Sequence, residues 1–438
     1  MKKSFLISSA LAILMILTSC AQKSENRNDD NPKKALEVRG VKAEISVQVE
    51  KEWRKYYEDA IERVLKDNPK SKINIIEVDS FDHLDIIDKV DSSNLGIADL
   101  FAFPTDRLYS LYERHLLADI DSKAIAEKIG GWDDFDGGIG GSFKIKNRYF
   151  AFPYNIETMI IYINKNNAEN AGIDLNNIEI CDMDPGQILI PIYDSWYGTA
   201  LTNASDIKLM ERVGDKFKSD MESPWIELSQ EKRDGMTAIY DYWRDNFKEN
   251  PSIFDPQMGF EYMDSELSNG KKGILLIAMP YEDIFEKSAD KVEIFPLNQL
   301  KISGKPLLHW KGGWGLGINS RIQEDEAKIA LAHDLISEIV SPEYAVELFK
   351  SSGKILENAD PAIYEKSDLN EIDKKIISTT IKSYKNSAEL PVYKEWLNVW
   401  KAWEDGILAW NLSQPDSPEE AYEEMRASFE SVLEKINK

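Results

Sequence analysis

The chain has 438 residues, 42% of them apolar and 30% charged, so it is long enough to bury a sizeable core and is no disordered segment. With 53 Lys and Arg against 77 Asp and Glu it carries a formal charge of −24, which argues against nucleic acid held by phosphate neutralisation and against broad docking on anionic lipid. Four His and two Cys are too few for zinc modules or a disulfide scaffold, and no metal or other cofactor is expected.

Lys2 and Lys3 precede an apolar run over 4–16, which ends in Leu17-Thr18-Ser19-Cys20. A short apolar run ending in small residues reads as an export signal, 1–19. The cysteine at its end resembles a bacterial lipobox, which implies acylation of Cys20 and an extracytoplasmic chain anchored to the cell membrane by its N-terminal lipid. An ordinary signal peptide that happens to contain Cys is the alternative. Segment 20–42 is polar, with almost no aliphatic content, and reads as a tether. Beyond residue 20 no apolar run approaches the ~18 residues of a membrane helix.

The body alternates strand and helix. Apolar alternation at Ile45, Val47 and Val49 predicts a strand over 43–50, and Trp53, Tyr57, Ile61, Val64 and Leu65 share one face of a helix over 51–68 that Pro69 closes. Strands follow at 72–79 and 97–103, with helices at 81–90 and 106–114. This order predicts an open, largely parallel sheet with helices on both faces. A hairpin over 142–153 is expected to turn at Asn147-Arg148. A second series follows: strands at 157–164, 187–193, 273–279 and 291–296, and helices at 228–247 and 281–288. After 312–318 the pattern is helical to the end, where Ser417 is the N-cap of a last helix with Pro418 at its first position.

No HExxH, Walker loop, GxSxG elbow or CxxC is present, so no catalytic residue is assigned and the chain is not read as an enzyme. His83, His115, His309 and His333 are scattered and read as packed or surface residues rather than ligands. The 11 Trp carry the strongest chemical signal. Aromatic rings cover the C–H face of a sugar, while Asp, Glu, Arg and Asn bind its hydroxyls in forks. Trp196, Trp310, Trp314 and Trp400 are expected in loops or near helix starts; Trp403 and Trp410 share a helical face and read as core.

Six segments, in order, resemble the extracellular solute-binding proteins of sugar ABC transporters, the maltose-binding-protein-like family: ADLFAFPTDRLYSLYERHLLADI at 98–120, NRYFAFPYNIETMIIYINK at 147–165, KKGILLIAMPY at 271–281, GGWGLGIN at 312–319, AKIALAHDLISEIVSPEYAVEL at 327–348 and ELPVYKEWLNVW at 389–400. The resemblance implies an α/β periplasmic-binding-protein-like fold, with two α/β lobes joined by crossing hinge segments and a helical C-terminal part. It places lobe 1 at 43–153 plus 318–360, lobe 2 at 154–310 plus 368–438, and hinges near 152–157, 308–317 and 358–370. It implies a monomer that closes on a carbohydrate and hands it to permease subunits. The contact residues it implies are Trp53, Phe103, Asp106, Arg107, Glu157, Asp194, Trp196, Tyr281, Gly312, Gly313, Trp314 and Trp400. Phe103 stands where the family has Trp. Asp106 as a helix cap, Glu157 as a surface residue and Gly312-Gly313 as a mere tight crossover are the structural alternatives. A surface glycan receptor without a transporter, and a non-sugar solute in the same fold, remain open as functions.

Overall fold

A computed structural model describes residues 40–90, 93, 95–175, 178–280 and 291–438. The export signal, Cys20 and most of the tether, and the helix expected at 281–288 with Tyr281, lie outside the described residues. Among those described, no helix is long and apolar enough to cross a membrane.

The strand Glu44–Glu50 runs parallel to Lys72–Val78 and Leu100–Pro104, between them. Its apolar side chains Ile45, Val47 and Val49 are buried, and so are Gln48 and Glu50, which alternate with them. Both faces of this strand are therefore covered, as a parallel sheet requires. The 3-10 turn Lys51–Trp53 leads into the helix Arg54–Asp67, which buries Tyr56, Tyr57, Ala60, Ile61 and Val64. Beyond Leu100–Pro104, the long strand Trp310–Ile318 runs antiparallel to it and, on its other side, antiparallel to Phe152–Glu157. The sheet is thus mixed rather than largely parallel. Local patterning identified its first three strands, but the partner that reverses the order arrives some 200 residues later in the chain.

Only Thr158 and Met159 separate Phe152–Glu157 from Ile160–Asn164, a strand of the second sheet. That sheet is ordered Val292–Pro296, Ile160–Asn164, Leu275–Ala278, Ile188–Leu189. Ile160–Asn164 is antiparallel to both its neighbours, and Leu275–Ala278 is parallel to Ile188–Leu189. The strand expected over 187–193 shrinks to Ile188–Leu189, because Pro191 cannot donate to a ladder and Asp194 caps a short helix, Ser195–Gly198. A third chain segment crosses beside the first two, where Ile156 donates its N–H to the Ile355 carbonyl at 3.0 Å. The molecule accordingly has two lobes with a ribbon of chain between them.

The C-terminal part is helical. Trp396–Ser413 and Pro418–Ile436 pack together with Trp403 and Trp410 fully buried, and the indole N–H groups of those residues donate to the Ile192 and Ala421 carbonyls at 2.8 and 3.0 Å. Ser417 accepts from the Glu420 N–H and Pro418 opens the last helix, as the sequence predicts. The hairpin turns one residue earlier than expected, at Lys146-Asn147, where both residues have positive φ (49° and 64°). Two residues in that conformation match the twist of a two-residue hairpin.

Candidate functional site

A cavity of about 470 Å³ opens between the lobes. One wall is built where Leu100–Pro104 ends. A 3-10 turn, Thr105–Arg107, projects Asp106 and Arg107 from the carboxyl end of the strand before the helix Leu108–Glu113 begins, the usual ligand position of open α/β sheets. The floor is the ribbon: Glu157 at the end of its strand, and Gly313 and Trp314 on the facing strand. The opposite wall comes from Asp194, Ser195 and Trp196 on the short capped helix, with Met279, Leu390 and Trp400.

Eight of the predicted residues thus line one space: Asp106, Arg107, Glu157, Asp194, Trp196, Gly313, Trp314 and Trp400. Gly312 contributes differently. A Cβ there would stand 2.4 Å from Trp196 Cη2, so the missing side chain is the seat on which the Trp196 ring rests. Trp53 is 8% exposed and packs edge-on against Tyr154, one layer behind the cavity wall. Phe103 is a correction to the expected lining. Its side chain is fully buried against Phe101 and Phe143, because alternation along the strand turns it to the face away from the cavity. Trp310 and Trp314 lie within a strand rather than in loops. Trp310 is buried, with its indole N–H on Thr199 Oγ1 at 3.1 Å.

The indoles form a connected wall. Trp196 and Trp400 meet edge to face at 6.3 Å, and Trp400 meets the buried Trp396 at 5.4 Å. His309 fixes Trp196 from behind, through its Nε2 on the Trp196 carbonyl at 2.8 Å and its ring at 4.7 Å. Like His83 and His333, His309 is nearly fully buried, and burial pushes all three down to about 4, so each is neutral at pH 7.

Asp106 does not cap a helix; Pro104 holds the cap position. Instead its Oδ2 accepts from Arg107 Nη1 at 2.7 Å and from Trp400 Nε1 at 3.3 Å, a bond that joins the two walls. Its Oδ1 is buried with no hydrogen-bond partner. Arg107 is committed to Asp106 and to Asp88, which its Nε reaches at 2.9 Å. Asp194 uses Oδ1 to accept the Trp196 and Tyr197 N–H groups. Burial pushes the Asp106 and Glu157 carboxyls up, and Asp194 to about 6. The cavity therefore presents ring faces and acceptor oxygens, with its guanidinium already paired. Such a lining suits a solute rich in donors and flat C–H faces.

Leu84, Thr105, Ser195, Met279 and Leu390 also line the cavity and are absent from the expected contacts, although Thr105, Met279 and Leu390 lie in segments that carry the family resemblance. Among the described residues no cluster of His, Cys, Asp and Glu could hold a metal ion. A larger cavity of about 920 Å³ lies across the ribbon, reached by Ile156, whose side chain alternates with that of Glu157, and by Lys311, Trp132, Glu357 and Tyr384. We place the candidate site in the smaller one, because the indoles and the unpartnered carboxylate oxygen converge there.

The profile of the bacterial extracellular solute-binding proteins matches residues 49–346, and the chain belongs to that family. No curated sequence matches it significantly. Among solved structures it is similar to the maltose-binding periplasmic protein MalE from Listeria monocytogenes in complex with maltose, at 16% identity and a TM-score of 0.67 over 90% of this chain and 98% of that one. It is similar to the GacH receptor of Streptomyces glaucescens, solved unliganded and with acarbose, at 14% identity and a TM-score of 0.67 over 90% and 99%. It also resembles MalX from Streptococcus pneumoniae in complex with maltopentaose, at 17% identity and a TM-score of 0.66 over 89% and 99%. At these identities the likeness shows a maltose-binding-protein-like fold.

Proposed function

We propose that the chain is the lipid-anchored receptor of an ABC importer, which closes its two lobes on an oligosaccharide and delivers it to the permease. The observation that carries this reading is the convergence of Trp196, Trp314 and Trp400 with Asp106, Glu157 and Asp194 on one inter-lobe cavity. Three structurally similar proteins solved with maltose, acarbose or maltopentaose support it. The paired Arg107 and the three carboxyl groups disfavour uronic and sulfated glycans and favour neutral sugars. The test is a thermal-shift screen with neutral oligosaccharides: a ligand at 100 times its dissociation constant stabilises by about 2.7 kcal/mol. Absence of any shift across maltodextrins and other neutral glycans would reject the sugar reading.

The acidic lining favours a second reading, a cationic solute such as a polyamine, and the same screen with polyamines separates the two. Anchoring rests on Cys20 and the polar tether behind it. Cys20→Ala should leave the protein unprocessed or released into the medium, and normal acylation and cleavage of that variant would remove the lipid anchor from the proposal.

A further inference from the structure

Lys354 is 8% exposed, on the chain segment that crosses between the lobes beside Ile156. A lysine ammonium is almost never buried without partners. Here three rings surround it: Nζ lies 4.3 Å from the centroid of Trp53, 4.9 Å from Trp314 and 5.2 Å from Tyr154. The cage comes from three separate parts of the chain: the turn Lys51–Trp53 and the strands Phe152–Glu157 and Trp310–Ile318. Trp314 has a double position, since it lines the inter-lobe cavity and also packs against the lysine. Glu157 lines the same cavity, and Trp314 is among the groups that favour its charged form.

We propose that Lys354 is a positioning residue for the ligand cavity: caged by Trp53, Tyr154 and Trp314, and set beside Glu157 by the antiparallel pairing of Ile355 with Ile156, its ammonium favours the acceptor form of Glu157 and fixes Trp314 from behind. The inference rests on the binding role proposed above, but its first test needs no ligand.

The charged and titratable groups around the pair are few. Glu50 and Glu157 act on Lys354, and both favour its charged form against burial. Burial pushes Glu157 up and Asp106 pushes it up further, while Lys354 first, then Trp314 and Asn155, favour its charged form. The His83 ring lies 5.8 Å from that of Trp314 and is neutral, so it supplies no replacement charge. Arg107 is paired with Asp88 and Asp106. Removing the ammonium therefore leaves Glu157 buried with only the repulsion of Asp106, and the carboxyl keeps its proton to higher pH. A protonated Glu157 offers a donor where the ligand's hydroxyls need an acceptor. Cation–π attraction inside a desolvated cage adds a second link, because it holds the three rings at fixed distances.

The experiment compares wild type, Lys354→Met and Lys354→Arg. In the ligand-free protein, the Glu157 carboxyl is titrated by carbon-13 NMR and assigned by its loss in Glu157→Gln. The expected result is a midpoint at least about one pH unit higher in Lys354→Met than in wild type, with Lys354→Arg close to wild type. Identical midpoints in wild type and Lys354→Met, or an unfolded Lys354→Arg together with an unshifted Lys354→Met, overturn the proposal. With a sugar identified by the screen, the affinity of Lys354→Met should rise tenfold per pH unit below its new midpoint while wild type stays flat, and the slope should vanish in Lys354→Met/Glu157→Gln. A pH-independent loss in Lys354→Met would mean a packing role only. Absence of sugar binding by wild type would refute the receptor reading while the titration still decides the role of Lys354.

Discussion

Trp400 shows how one residue links sequence to chemistry. It sits one turn into the helix Trp396–Ser413, where the neighbouring Trp396, Val399, Trp403 and Trp410 are all buried, yet it stays partly open and its N–H reaches Asp106 across the cavity. Trp400→Ala should weaken sugar binding by about 1–3 kcal/mol, roughly five- to 150-fold, with little change in the urea midpoint. Phe103→Ala is the contrasting variant. Its ring fills the core behind the same strand, so the cost should appear as about 3–5 kcal/mol of stability with affinity nearly unchanged in whatever protein remains folded. Titration calorimetry together with urea unfolding separates the two. A Trp400→Ala variant that unfolds like Phe103→Ala would place Trp400 in the core.

At the level of elements, the ribbon of Phe152–Glu157 and Trp310–Ile318 holds the floor of the cavity, and its glycines make it possible. A Cβ at Gly313 would meet the Asn155 carbonyl oxygen at 2.3 Å, whereas one at Gly312 first meets the Trp196 ring, a side chain that can move. Gly313→Ala should therefore lose about 1–3 kcal/mol of stability, while Gly312→Ala should chiefly lose affinity as Trp196 is displaced. Equal stability losses in both would remove Gly312 as the seat of that ring. The crossing segment that carries Lys354 also carries Glu357, whose carboxylate accepts the Ile139 N–H at 3.0 and 3.2 Å. Burial pushes Glu357 from 4.5 to about 7. Its folded value lies above its unfolded one, so the folded state binds the extra proton. Its contribution to stability is complete below about pH 4.5 and is lost as pH rises through about 7. Glu357→Gln should flatten this part of the stability–pH curve measured by urea unfolding, by at most about 3 kcal/mol between pH 4.5 and 8. An unaltered slope would mean that Glu357 does not titrate in that window.

For the whole molecule, the receptor proposed above needs Asp106 and Glu157, and Trp196 and Trp400 facing them, to touch one ligand together, which they can do only while the walls stay as close as the Trp400–Asp106 hydrogen bond holds them. A ligand that makes both sets of contacts binds the closed form preferentially, and that difference in affinity is what drives closure. The radius of gyration from small-angle scattering should fall when a binding sugar is added at saturation. No change would point to lobes that are already closed or that do not move, and delivery by shape recognition would lose its physical basis.

Periodicity and capping in the sequence by themselves determined the first helix with its buried Tyr57, Ile61 and Val64, the capped last helix at Ser417, and the core role of Trp403 and Trp410, because these depend on neighbours within a turn or two. Eight of the residues that the family resemblance singles out line one cavity. Only the tertiary structure decided the rest. Phe103 and Asp106 are three residues apart in sequence, yet strand alternation sends one to the core while the 3-10 turn sends the other to the cavity. The mixed sheet depends on a strand paired across some 200 residues, and its register, Gly312 opposite Glu157, is set by backbone hydrogen bonds that leave no local pattern. Lys354 carried no signal at all, since a lysine in a helical region reads as solvated until three rings from distant segments are folded around it.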